Sequence, residues 1–119
     1  MLLTILNKMN ADSYLSSTLK ALTGAYGSEL PFVKYSYVPL TNDAIKATAR
    51  FEVTAVSNSI GTSLEIIDNI SRVLLTLGDT PLTSDILAVE HNGGGQLFNE
   101  ETKTWHIKAN YLILYKERG

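Results

Sequence analysis

The chain has 119 residues, 45% of them hydrophobic and 18% charged, with a formal net charge of −2 and no cysteine. That length suits one domain, 1–119, with a real core and excludes two comfortable ones. The acidic balance speaks against a protein held to nucleic acid by phosphate neutralisation, though it leaves room for a local basic patch, and the missing thiols exclude disulfides, thiolate metal sites and cysteine nucleophiles.

Residues 1–27 read as a helical segment in one or two pieces. Leu2, Leu3, Ile5, Leu6 and Met9 form a first apolar cluster. It lacks the basic start and long apolar run of a signal peptide, and nothing in the chain approaches the roughly eighteen apolar residues of a membrane span. The expectation is therefore a protein made inside a cell. Asp12 is placed to cap a second turn, after which Tyr14, Leu15, Leu19 and Leu22 share a face, and Gly24 and Gly27 end the pattern. Such a segment either docks on its own domain or is offered to a neighbouring subunit.

Residues 28–119 read as a sheet around a central helix. Pro31 biases its predecessor toward extended geometry. The run Phe32 to Val38 is rich in aromatic and β-branched residues and predicts a strand with Val33, Tyr35 and Tyr37 on one face, followed by a turn over Pro39 to Asn42. From Ile45 to Val56, Ala47, Ala49, Phe51, Val53 and Ala55 alternate with Lys46, Thr48, Arg50, Glu52 and Thr54, one buried face against one wet or partner-facing face. The two runs predict an antiparallel hairpin. Ser57 to Gly61 is a polar loop. Thr62 and Glu65 have capping-box spacing, and Ile66, Ile67, Ile70, Val73, Leu74 and Leu77 then form one helical stripe over about 63–77, stopped by Gly78 and Pro81.

A short strand is predicted from Asp85 to His91, with Asn92, Gly93, Gly94, Gly95 and Gln96 as a mobile hairpin loop. The glycines lie between two strands with no lysine-serine or lysine-threonine pair after them, so they do not make a phosphate loop. A small ribbon is expected around 99–102. The last strand, Thr104 to Lys116, has Trp105, Ile107, Ala109, Tyr111, Ile113 and Tyr115 on one side. On the other, His106, Lys108 and Asn110 give way to Leu112 and Leu114. A strand apolar on both faces is either central in its sheet or meets another subunit. The sum is an α+β fold of order α-β-β-α-β-β: a single four-stranded mixed sheet with two helices packed on one face, and the opposite face left for assembly.

No catalytic constellation emerges. His91 and His106 have no ligand spacing, no serine sits in a nucleophile elbow, and Glu100 and Glu101 are adjacent in a turn, where carboxylates are solvated. The aromatic residues are not interleaved with enough bases to bind a nucleic-acid strand. The expectation is no enzyme, no metal, no cofactor and no sequence-specific nucleic-acid partner.

The apolar N-terminal helix, the Leu30-Pro31-Phe32-Val33-Lys34-Tyr35 start of the first strand, the Phe51-Glu52-Val53-Thr54 strand, the helix from Leu64 to Leu77 and the closing Thr104-Trp105-His106 strand together resemble the small tail-completion proteins of long-tailed bacteriophages, the tail-terminator or tail-to-head joining family. The resemblance implies a structural virion protein of the tail, assembled in the host bacterial cytoplasm. It implies a ring, commonly a hexamer, that caps the tail-tube protein and offers a surface to the head connector, with no reaction and no cofactor. Other phage head-completion or minor tail proteins belong to the same broad class; a small dimeric α+β ligand-binding module is the alternative of a different class. Composition and exposure nominate Leu112, Leu114, Asn92, Gly93, Gly94, Gly95, Ser57 and Asn58 as contacts with other copies or partners.

Overall fold

A computed structural model describes residues 2–24, 29–42, 46–78 and 86–116. The elements in order are α1 (Leu2–Ala11), α2 (Ser13–Thr18), β1 (Ala21–Thr23), β2 (Phe32–Asn42), β3 (Lys46–Ser57), α3 (Ile60–Gly78), β4 (Ile86–Asn99) and β5 (Thr104–Lys116). The expected α+β character holds, but the sheet has five strands where four were expected, in the order β1-β2-β3-β5-β4. The extra strand, β1, comes from the N-terminal segment, for which the sequence predicts only helix. The helix stops because Leu19 is extended. The Lys20 N–H then donates to the Pro31 carbonyl at 2.8 Å, and Ala21–Thr23 pairs parallel with Phe32–Lys34.

One core lies between the sheet and three helices. Ile5 and Met9 of α1, Leu15 of α2 and Ile66, Ile70 and Leu74 of α3 meet Val33, Phe51, Val53, Ile107, Tyr111 and Ile113 of the sheet, all buried. The N-terminal helices are thus docked on the chain's own core. Asp12 caps α2 as expected, accepting from the Leu15 N–H at 3.1 Å, and the same carboxylate holds Arg72 of α3 at 2.6 Å. The central helix begins at Ile60, so Thr62 lies inside its first turn and the expected capping box does not form. A serine cluster fixes that end instead: the Ser57 hydroxyl donates to the Ser59 carbonyl at 2.7 Å and lies 2.6 Å from the Ser63 hydroxyl, which reaches the Trp105 carbonyl at 3.2 Å.

Two further expectations give way. Pro39 to Asn42 is not a turn but the end of β2, with a register shift between Pro39 and Thr41. The sheet edge at that point is β2 itself, since β1 covers only Phe32–Lys34, and an edge accepts a residue with no N–H to donate. Residues 92–96 are not a hairpin loop but part of β4, which pairs with β5 from Ile86 to Asn99 across a shift between His91 and Gly94. Gly93, at φ 91°, takes the left-handed conformation that this shift requires. The turn falls at residues 100–103, where the Asn99 side chain accepts from the Glu101 and Thr102 amides. Ile45, Pro81 and Asp85, read above as strand and helix-stop residues, lie outside the described residues.

Candidate interaction surface

All three helices cover one face of the sheet, and none of the described elements covers the other. Alternation along each strand fixes which residues that open face carries. Register aligns Lys34, Thr54, Lys108 and Gly95 in one row across β2, β3, β5 and β4. Ser36, Glu52 and Asn110 make the next row, then Val38, Arg50, Leu112 and Glu90, then Thr41, Thr48, Leu114 and Ala88. The Thr41 and Thr48 hydroxyls are hydrogen-bonded across β2 and β3.

β5 is central, flanked by β3 and β4 for nearly its whole length. This is why it is apolar on both faces: Ile107, Ala109, Tyr111 and Ile113 enter the core, while Leu112 and Leu114 are half-buried among their cross-strand neighbours on the open side. Val38 and Leu40 on β2 add apolar surface, each about two-fifths exposed at 40% and 42%.

The chemistry of this face is cationic and polar. Lys34, Lys46, Arg50, Lys108 and Lys116 oppose Glu52 and Glu90, a net of three positive charges in a chain whose total is −2. Lys108 Nζ lies 3.7 Å from Glu52 Oε1, a loose and exposed pair. Beside it, Asn110 Oδ1 is buried with no hydrogen-bond partner among the described residues. It lines a shallow concavity of about 420 Å³ with Thr54, His106, Lys108 and the strand Gly94 to Leu97, whose glycines leave the floor bare.

The eight nominated residues are not brought together. Leu112 and Leu114 lie on the open face. Asn92, Gly93, Gly94 and Gly95 are exposed on β4, the sheet's outer edge, with Gly95 on the open side. Asn58 is exposed at the far end of β3, but Ser57 is buried and committed to the serine cluster. The two histidines sit on opposite faces: His91 meets Tyr111 edge-on at 5.5 Å on the helix side, whereas His106 Nε2 lies 3.0 Å from the Thr104 hydroxyl on the open side. Among the described residues no three His, Asp or Glu side chains are placed to hold a metal, and no helix is long and apolar enough to cross a membrane. The nomination missed the cations, although their signal was present: Lys46 and Arg50, like Lys108, occupy the alternating positions opposite the core.

No family model and no curated protein matches the chain. Among solved structures, the chain is similar to one in the virion of a native gene transfer agent particle, with a TM-score of 0.69 and 10% sequence identity over 95% of this chain and 92% of that one. At that identity the likeness is one of fold, and it extends over nearly the full length of both chains.

Proposed function

We propose that the protein is a structural virion subunit of the tail, which self-assembles into a ring, caps the tail tube and presents the joining surface for the head connector. The observation that carries this reading is the open sheet face, broad, cationic and partly apolar, bounded by two unlike edges in β4 and β2. A ring subunit needs unlike complementary surfaces, so that one contact repeated by rotation closes on itself. The fold shared with a virion chain supports the same reading, as does the resemblance to tail-completion proteins. Copies of the chain, the tail-tube protein and the head connector are its partners. The work is geometric, with no bond made or broken and no cofactor, and it is completed in the virion tail after assembly in the host cytoplasm.

Electron microscopy of particles made without this chain tests the proposal. Filled heads and separate tails, with tubes of uncontrolled length, are expected. Particles that still join head to tail with tubes of normal length would overturn it.

A further inference from the structure

The charge of the open face is opposite in sign to that of the rest of the molecule. Outside it, the described residues carry six carboxylates against four cations, a net of −2 facing the +3 of the sheet. A face-to-face dimer through the sheet would set like charge against like and is disfavoured. A head-to-tail contact between the sheet of one copy and another surface of the next is favoured by the same field.

The outward side of α3 has the matching character. Leu64 and Leu75 are 42% and 44% exposed there, large apolar side chains three helical turns apart, with Glu65 and Asp68 beside them. Arg72, the nearest helical cation, is bound to Asp12, and neither Glu65 nor Asp68 pairs with a cation among the described residues. Acid and leucine on α3 thus mirror base and leucine on the sheet.

We propose that the open sheet face of one copy packs on the outward side of α3 of a second copy, setting Arg50 and Lys108 beside Glu65 and Asp68 and the Leu112–Leu114 surface against Leu64 and Leu75. The inference rests on the self-assembly proposed above and names the contact. Because the two surfaces differ, each copy keeps one of each unsatisfied, and the contact propagates into a ring or filament. The mixture of half-buried leucines with charges is that of a protein interface. A nucleic-acid face would rely on cations without an apolar centre.

Charge reversal in two halves tests it. Arg50→Glu with Lys108→Glu makes both surfaces acidic; Glu65→Lys with Asp68→Lys makes both basic. Sedimentation at low salt should show each variant alone associating at least about tenfold more weakly than the natural chain, and an equimolar mixture recovering, because the acidic sheet of one variant fits the basic α3 of the other while their two unaltered surfaces make the natural contact. Circular dichroism melts show whether the fold is kept. If a reversal unfolds the chain, Arg50→Gln and Asp68→Asn should each weaken association by a smaller factor, and rising salt should weaken that of the natural chain. Association unchanged in both reversals overturns this contact and leaves the ring reading standing. So does a mixture that fails to recover, or a loss seen only when Glu100 and Glu101 of the hairpin turn are reversed. A natural chain that stays monomeric at millimolar concentration and low salt, or that binds generic duplex DNA in place of itself, overturns it as well.

Discussion

Asp12 does two things with one carboxylate. It accepts the Leu15 amide that α2 would otherwise leave unpaired, and it clamps Arg72, tying the N-terminal helices to α3. The Arg72 side chain and the Leu15 amide together hold its carboxyl below the ordinary carboxylate value. As pH falls the unfolded chain therefore takes up the proton first. The stabilisation is complete above about pH 4 and declines as acid is added through the folded value. Asp12→Ala should cost about 1 kcal/mol, the usual worth of an N-cap. Arg72→Ala should cost less, within the roughly 0–1 kcal/mol of an exposed pair, since the guanidinium is more than half exposed. Thermal melts at pH 7 and pH 3 check both: the gap between the natural chain and Asp12→Ala should narrow in acid. A second residue-scale expectation concerns Tyr111, whose hydroxyl bonds that of Ser71 under α3 while burial, reinforced by Asp68, raises its phenol above the ordinary tyrosine range. Tyr111→Phe should cost about 1 kcal/mol, measured by denaturant titration.

At the scale of elements, the glycines of β4 separate two kinds of close approach. A Cβ on Gly94 would fall inside the van der Waals envelope of the Lys108 carbonyl oxygen, which belongs to the paired strand and cannot swing aside. A Cβ on Gly95, one residue on, meets nothing within 4 Å. Gly94→Ala should therefore lower stability by about 1–3 kcal/mol, the range of an overpacked site, while Gly95→Ala stays within about 0.5 kcal/mol of the natural chain. Equal melts for the two variants would contradict the pairing of β4 through this tract.

The same tract shows where sequence reasoning stops. α3, β3 and β5 are legible because a period of 3.6 or 2 persists over a dozen residues. The triple glycine reads as a break because glycine has low strand propensity, yet tertiary pairing with β5 overrides it. β1 is three residues long, too short to show any period, and it exists only because Pro31, eleven residues after Lys20, offers its carbonyl. The open face was legible residue by residue, in the polar alternation of β3 and the two leucines of β5. Its net charge was not, because it emerges only when register sets four strands side by side.

For the whole molecule, the sheet is uneven in what protects it. β5 is hydrogen-bonded on both sides, to β3 over Trp105–Lys116 and to β4 over Thr104–Tyr115, and its core residues are buried beneath α3. β1 has three residues and one neighbour; β4 from His91 to Phe98 is exposed, with only its β5 side paired. Opening free energy follows buried contact and two-sided pairing, so amide exchange in dilute solution should be slowest over residues 107–113 and fastest in β1 and along the outer side of β4. Raising the protein concentration distinguishes two ways of joining copies. If copies join through the open face and α3, Glu65 and Asp68 lose solvent contact while the outer amides of β4 continue to exchange quickly. If they join edge to edge, those amides gain hydrogen-bond partners and slow by orders of magnitude, with α3 unchanged. Slowing confined to β4 at high concentration would thus move the contact from the face of the sheet to its edge.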